Sequence, residues 1–229
     1  MTANRVIEPL ELKFEATPEK GEVSALLMRP ADATHLLVLG HGASSNLRTP
    51  LVSSIADATA AVGIATFRYN FPYSEKGGGR NSNEVCIATI RSAVRSAQTA
   101  APDLKLLAGG HSFSGRMTST AQSGSTIDGV SGLVFFSFPL HPAGAPSITR
   151  AEHLAAIKIP MLFLSGTRDA LAELDLLEPV VEKLGKSASL HLIDTADHSF
   201  KILKRTRTSD ENVFKEMARV TREWASRLK

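Results

Sequence analysis

The stretch that decides the fold is Leu104-Lys105-Leu106-Leu107-Ala108-Gly109-Gly110-His111-Ser112-Phe113-Ser114-Gly115-Arg116. It begins as a short apolar run, passes through a small-x-Ser-x-small motif centred on Ser112, and continues into a segment of helical character. A serine on a sharp strand-to-helix turn between small residues is typical of a nucleophile elbow, where the hydroxyl projects clear of the sheet. The stretch therefore predicts Ser112 as a nucleophile. Ser114 stands where the usual pattern has glycine, and we expect its hydroxymethyl group to crowd the turn.

Short apolar runs alternate with longer helical segments on both sides of this stretch. The predicted strands are Leu10–Ala16, Val23–Met28, Leu36–Leu39, Ile64–Phe67, Leu104–Ala108, Leu133–Phe138, Met161–Leu164 and Ser189–Ile193. The predicted helices are Leu51–Ala61, Asn83–Ala100, Arg116–Gln122, Leu171–Leu184 and Asp210–Leu228. Nearly continuous apolar strands separated by helices indicate an α/β fold, with a mostly parallel central sheet and helices on both faces. We expect residues 1–229 to form a single domain.

Composition limits the functions that the chain can have. The net charge of +3 gives no electrostatic argument for binding nucleic acid, and no apolar run approaches the length of a membrane span. The N-terminus has no continuous apolar region typical of a secretory signal. One cysteine, Cys86, excludes an internal disulfide and favours a reducing compartment. These features predict a cytoplasmic protein, and the absence of metal or dinucleotide motifs predicts no metal and no cofactor.

Two further residues complete a serine-based site. Serine is a weak nucleophile at neutral pH, so it requires a base, and the base requires an orienting carboxylate. Asp169 follows the apolar run Met161–Leu164, and His198 lies in the loop after the last predicted strand. The carboxyl ends of parallel strands meet in one crevice, so these side chains are expected to come together. The order Ser112, Asp169, His198 predicts the catalytic residues of a hydrolase.

Other residues compete for the same roles. Asp194 and Asp197 precede His198, but they lie on its own loop and are expected to serve that turn. His111 is adjacent to Ser112, and neighbours on the elbow point apart, which makes it a poor base. Asp169 and His198 are therefore preferred.

Backbone amides are expected to stabilise the oxyanion that forms during acyl transfer. One predicted donor is the amide of Phe113, directly after the nucleophile. The second is the amide of Ala43, in the glycine-containing loop that follows Leu36–Leu39. His41 and Gly42, in the same loop, are predicted to contact the substrate.

Six blocks of sequence together resemble a known family. They are His41-Gly42-Ala43, Arg68-Tyr69-Asn70-Phe71-Pro72-Tyr73, Gly109 to Arg116, Phe138-Pro139-Leu140-His141-Pro142, Gly166-Thr167-Arg168-Asp169 and Asp197-His198-Ser199-Phe200-Lys201. In this order they resemble the α/β hydrolases over nearly the whole chain. More narrowly, the chain is similar to a dienelactone-hydrolase-related group that includes testis-expressed protein thirty and the regulatory subunit of a chromatin acetyltransferase complex, NSL. The resemblance implies an α/β-hydrolase fold, and some members of the group serve as complex subunits.

The predicted pocket is small and open. The segment between Leu133–Phe138 and Met161–Leu164 is too short for a large lid domain, which favours small, soluble acyl substrates over lipids. Tyr73 is predicted to line the acyl pocket. Arginines expected in loops on the active face either solvate the loop edges or bind an anionic substrate group; Arg68 is the first candidate for binding, and the others are Arg48, Arg80, Arg116 and Arg168.

The sequence thus predicts a serine hydrolase of carboxylic esters that acts through an acyl-enzyme. Two alternatives stay open. The first is a catalytically weak or inactive scaffold subunit with a protein partner, and the second is a thioesterase or peptidase on the same three residues.

Overall fold

The computed structural model describes residues 7–228. Eight strands form one sheet within this range. They are β1 (Leu10–Thr17), β2 (Gly21–Met28), β3 (His35–Gly40), β4 (Ile64–Tyr69), β5 (Lys105–His111), β6 (Val130–Phe136), β7 (Met161–Gly166) and β8 (Ala188–Ile193). Each predicted apolar run overlaps one of these strands, so the predicted strands are confirmed with shifted ends.

The sheet order is β1-β2-β4-β3-β5-β6-β7-β8. The first two pairs, β1 with β2 and β2 with β4, are antiparallel, and the other five pairs are parallel. This confirms the mostly parallel sheet. Strand β3 lies directly beside β5, and Gly40 pairs with Gly110 at their carboxyl ends. The loop after β3 is therefore brought against the turn that carries Ser112.

Within residues 7–228, five α-helices lie between strands and a sixth follows β8. They are α1 (Pro50–Ala60), α2 (Pro72–Lys76), α3 (Asn83–Ala100), α4 (Phe113–Gly124), α5 (Leu174–Leu184) and α6 (Val213–Ala225). The short helix α2 is not predicted from the sequence. Helix α6 begins after Asn212, whose side chain accepts hydrogen bonds from the backbone N–H groups of Phe214 and Lys215 and so sets the helix start.

Buried apolar residues form two layers, one on each face of the sheet. The larger layer joins the sheet to α3, α4 and α5, with Ile90, Met117 and Leu177 among its members. The smaller layer joins the opposite face to α1 and α6 through residues such as Ile55 and Met217. Helices on both faces are therefore confirmed. Cys86 is buried in the larger layer, as a core residue.

The connection from β6 to β7 contains one 3₁₀ segment, Thr149–Ala156, and no further helix. No large lid is inserted at this point, which agrees with the prediction from the sequence. Among residues 7–228, none of the helices combines the length and the apolar character that a membrane crossing requires.

Candidate active site

Two glycines shape the turn before Ser112. Gly109 and Gly110 have φ angles of +157° and +148°, and a Cβ on Gly109 would lie 1.9 Å from the Val134 carbonyl oxygen. Ser112 itself has φ 52° and ψ −110°, a conformation that costs a non-glycine residue about 1–3 kcal/mol. Its N–H donates to the Phe136 carbonyl at 2.9 Å, so a neighbouring strand holds the strained turn. The predicted strand-turn-helix geometry is present.

Ser114 is accommodated because two neighbouring residues lack a side chain. It is fully buried, and its hydroxyl donates to the His111 carbonyl at 3.1 Å. A Cβ on Gly40 would lie 2.5 Å from the Ser114 Cβ, and a Cβ on Gly110 would lie 2.3 Å from the Ser114 Oγ. Ser114 therefore fits only while positions 40 and 110 are glycine, and a side chain at either position would clash with it.

Ser112, His198 and Asp169 form one hydrogen-bonded chain. His198 Nε2 lies 2.8 Å from Ser112 Oγ, and His198 Nδ1 lies 2.9 and 2.8 Å from the two carboxylate oxygens of Asp169. Because a carboxylate only accepts, Nδ1 carries the proton and Nε2 presents its lone pair to the serine hydroxyl. The Asp169 side chain is fully buried, and one of its oxygens accepts the Leu171 N–H at 2.9 Å.

The competing carboxylates serve other groups. Asp197 accepts the backbone N–H groups of Ser199 and Lys201, and so closes the turn that carries His198. Asp194 accepts the N–H and hydroxyl of Thr208. Both therefore stabilise their own loop, as the sequence predicts.

His111 lies closer to the site than the sequence indicates. Its Nε2 donates to the His198 carbonyl at 3.0 Å, and the two rings are 5.4 Å apart at their centroids. Burial lowers the pKa of His111 to about 4, so the ring is neutral near pH 7. His111 thus supports the backbone of the base. Its position next to Ser112 is the only sequence signal for this role.

The loop after β3 presents a free backbone donor. The Ala43 N–H has no hydrogen-bond acceptor within residues 7–228, and the Phe113 N–H is the first of α4, where no intrahelical acceptor exists. Gly42 approaches the elbow closely, since a Cβ there would lie 3.0 Å from His111 Nδ1. The two predicted oxyanion donors therefore lie on adjoining turns.

The position of His41 contradicts the prediction that this side chain faces a substrate. The side chain is fully buried; Nδ1 donates to the Gly42 carbonyl at 2.8 Å, and Nε2 accepts the Phe71 N–H at 3.3 Å. Burial lowers the pKa of His41 to about 4. The ring therefore connects the β3 loop to the segment after β4 and fixes the loop conformation.

Arg68 does not reach the loops at the carboxyl ends of the strands, where Ser112 lies, either. Strand β4 extends to Tyr69, and its alternation directs Arg68 towards α1, where its guanidinium donates to the Ser53 hydroxyl at 2.9 Å. Two other predicted arginines are occupied as well: Arg48 pairs with Glu11 at 2.7 Å, and Arg168 donates to a backbone carbonyl at 3.0 Å. The prediction that Arg68 binds an anionic substrate group is therefore wrong.

The remaining predicted residues surround Phe113. Tyr73 stacks on Phe71 and meets the Phe113 ring edge-on, and the guanidinium groups of Arg80 and Arg116 lie over the same Phe113 ring. A cavity of about 390 Å³ adjoins them and is lined by Ala43, Ser44, Ser45, Tyr73, Ser74, Gly77, Gly78 and Arg80. It connects the predicted oxyanion loop with Arg80. In the described part of the chain, no three His, Cys, Asp or Glu side chains cluster as a metal site would require.

Known proteins share this architecture. The chain is similar over nearly its whole length to a dienelactone hydrolase from Anabaena variabilis ATCC 29413, with 20% identity, a TM-score of 0.73, and 96% of this chain and 99% of that one covered. A serine hydrolase without a lid from Xanthomonas campestris has 16% identity and a TM-score of 0.71, with 95% of each chain covered. The esterase domain of a Rhodothermus marinus protein has 18% identity and a TM-score of 0.71, with 97% and 99% covered.

At these identities the structural neighbours establish the fold alone. The family model for the alpha/beta hydrolase domain matches residues 33–226, which contain every residue of the site described above. On this match, together with the elbow at Ser112 and the eight-stranded sheet, the chain belongs to the alpha/beta hydrolase domain family.

Proposed function

We propose that this protein is a serine hydrolase that cleaves carboxylic esters of small, soluble acyl groups. The observation that carries the proposal is the continuous hydrogen-bonded chain from Ser112 Oγ through His198 to the buried carboxylate of Asp169. A neutral imidazole whose Nδ1–H is held by a carboxylate leaves Nε2 free to accept the serine proton. In this arrangement Ser112 is the nucleophile, His198 the base and Asp169 the orienting group.

The reaction follows from this geometry in two steps. Ser112 Oγ attacks the carbonyl carbon while its proton passes to His198 Nε2, and the resulting oxyanion is stabilised by hydrogen bonds from backbone N–H donors. The bond to the alcohol oxygen then breaks, and that oxygen takes the proton from His198. Water attacks the acyl-enzyme in the same manner, which releases the carboxylic acid and restores the Ser112 hydroxyl.

The amides of Phe113 and Ala43 are the proposed oxyanion donors. Each N–H lacks an acceptor within its own turn, and the pairing of Gly40 with Gly110 brings the two turns together. Preorganised donors of this kind lower the barrier by about 3–4 kcal/mol each. His41 supports the second donor by fixing the conformation of the loop that carries Ala43.

A small substrate is supported by the shape of the site. The connection between β6 and β7 contains only a 3₁₀ segment, and the cavity beside Ala43 measures about 390 Å³. A cavity of this size fits a short acyl or alcohol group. The neighbouring proteins described as a lidless serine hydrolase and as an esterase domain support the same reaction class.

We further propose a cytoplasmic location, since the one cysteine is a buried free thiol.

A second candidate is a scaffold subunit of the kind found in the testis-expressed-thirty and NSL group. The serine at position 114, in place of the usual glycine, favours weakened catalysis. The accommodation of its side chain by Gly40 and Gly110 argues against that effect. A thioesterase or peptidase on the same three residues differs only in the bond cleaved, and a substrate panel separates these activities.

The test is intact-mass spectrometry after treatment with a fluorophosphonate. We expect one adduct on the wild-type protein and none on Ser112→Ala. The matched control is Ser226→Ala, which removes an exposed hydroxyl at the end of α6 and should leave the adduct unchanged. If the folded wild-type protein forms no adduct, or if Ser112→Ala still forms one, the proposed hydrolase mechanism is wrong. Hydrolysis of ester, thioester and amide analogues of one acyl group then identifies the bond.

A further inference from the structure

Two guanidinium groups converge on the first residue of α4. The Arg80 and Arg116 guanidinium carbons lie 5.0 and 5.8 Å from the centre of the Phe113 ring, within the range of cation–π attraction. Phe113 follows Ser112 directly, and the Arg116 N–H donates to the Ser112 carbonyl at 3.1 Å. Arg116 therefore lies one helical turn, about 5 Å along the axis, from the proposed nucleophile.

A third arginine approaches from the 3₁₀ segment between β6 and β7. Arg150 belongs to this segment, which packs against α4. His153 of the same segment bonds the Ser119 hydroxyl of α4 at 2.7 Å, and so fixes the segment to the helix. Burial lowers the pKa of Arg116, and the positive charges of Arg150 and Arg80 lower it further. Arg116 is thus repelled by both of the other guanidinium groups.

This repulsion is not relieved by acidic residues. Within residues 7–228, none of Arg80, Arg116 and Arg150 forms an ion pair with an aspartate or glutamate. Arg48, on the same active face, pairs with Glu11. An arginine stays charged at neutral pH even where its pKa is lowered. The cluster is therefore a concentration of positive charge that a bound anion would neutralise.

We infer that Arg80 and Arg116 form a subsite for an anionic oxyacid group, a carboxylate or phosphate, carried by the ester substrate. Guanidinium groups bind such oxygens in bidentate pairs, and the N-terminus of α4 adds a favourable dipole. The cavity extends from Ala43, at the proposed oxyanion loop, to Arg80. A substrate in this cavity can present its carbonyl to the Ala43 N–H and its anionic group to Arg80, which shares the Phe113 ring with Arg116. This inference rests on the proposed function, because the bound anion is part of a substrate only if the protein is a hydrolase.

The subsite is tested by binding, which requires no turnover. Isothermal titration of the Ser112→Ala protein should give saturable binding of glutarate or of inorganic phosphate, and the stronger of the two identifies the anionic group. Glutaramide, neutral and nearly the same shape as glutarate, should bind at least about tenfold more weakly than the preferred anion, since charge-assisted hydrogen bonds are lost. Arg116→Gln and Arg80→Gln should each weaken binding of the preferred anion about tenfold or more.

The control variant is Arg48→Gln, which removes an active-face arginine that already has a carboxylate partner. It should change the affinity less than twofold. The inference is overturned if neither anion binds at millimolar concentrations, if glutaramide binds as tightly as the preferred anion, or if Arg116→Gln and Arg48→Gln have equal effects.

The outcomes also separate this inference from the hydrolase proposal. Fluorophosphonate labelling of Ser112 without arginine-dependent anion binding would overturn the subsite alone. Arginine-dependent binding without labelling would support an anion site and contradict hydrolysis. For an active enzyme, Arg116→Gln should raise the KM for an aryl monoester of glutarate and leave the KM for the aryl valerate nearly unchanged.

Discussion

Gly40 and Ser114 are expected to be strongly coupled in stability. Gly40 ends β3, and a Cβ added to it would lie 2.5 Å from the Ser114 Cβ, 2.9 Å from its Oγ and 2.8 Å from the Tyr69 hydroxyl. All three distances are shorter than real Cβ contacts allow. Gly40→Ala must therefore displace α4 or β4, and two of the three closest atoms belong to Ser114.

The magnitude follows from these contacts. Overpacking a buried site destabilises a protein by about 1–3 kcal/mol, and with three contacts below 3.0 Å we expect Gly40→Ala to be near 3 kcal/mol, at the upper end of that range. Ser114→Gly loses the hydrogen bond to the His111 carbonyl and gains chain entropy on unfolding, about 1–2 kcal/mol together. The double variant removes two of the three clashes. It should be more stable than additivity predicts by about 1–2 kcal/mol, with the Tyr69 contact remaining.

Urea unfolding followed by circular dichroism measures the four free energies of unfolding in this double-mutant cycle. Gly124→Ala, at the open end of the same helix with no atom within 4 Å, is the control partner and should show no coupling to Gly40→Ala. If Gly40→Ala and Ser114→Gly add to within about 0.5 kcal/mol, the explanation of how the elbow accommodates Ser114 is refuted. Gly40→Ala should also slow fluorophosphonate labelling of Ser112, because it displaces the elbow. The double variant should restore part of that rate.

Three further predictions concern the site. Asp169→Asn should slow labelling of Ser112 about ten-thousandfold, because an amide can hold His198 in the wrong tautomer; a rate near that of the wild type would contradict the role of Asp169. His111→Phe removes the donor to the His198 carbonyl and should slow labelling about tenfold, whereas His111→Gln keeps a donor and should restore most of the rate; equal rates for both would show that the donor is irrelevant. His41 and His111 have pKa values near 4 when folded, against 6.5 for the free side chain, so the unfolded state binds more protons between these values and stability is fully present above pH 6.5. As the pH falls from 6.5 to 4, each histidine should lower the free energy of unfolding by up to about 3 kcal/mol. The melting temperature of His41→Gln should therefore depend less on pH than that of the wild type.

Much of the site can be predicted from the sequence because its residues lie at the ends of apolar strands. Ser112, Asp169 and His198 each follow such a strand, and in a parallel sheet the carboxyl ends of the strands meet at one edge. Their spacing along the chain is then irrelevant, and only their order matters. The glycines around Ser112 could be interpreted in the same way, since a sharp turn requires positive φ angles.

The predictions for single side chains fail where the position of a strand end, or one hydrogen bond, decides where the side chain lies. Arg68 was expected in a loop, but β4 continues through Tyr69, and its alternation directs the guanidinium towards α1. His41 was expected to face the substrate, and two backbone hydrogen bonds instead bury it. Neither the strand end nor these bonds can be inferred from residue types.

The sequence by itself determined the α/β class, the positions of the strands and the order of the three hydrogen-bonded residues. These depend on local properties: apolar periodicity, turn residues and chain order. Only the tertiary structure decided that β3 lies beside β5, that His111 holds the backbone of His198, and that Arg80 and Arg116 meet over the Phe113 ring. Each of these contacts joins residues distant along the chain. The contacts depend on the order of the strands in the sheet and on how the connecting segments pack against it, and no local pattern encodes either.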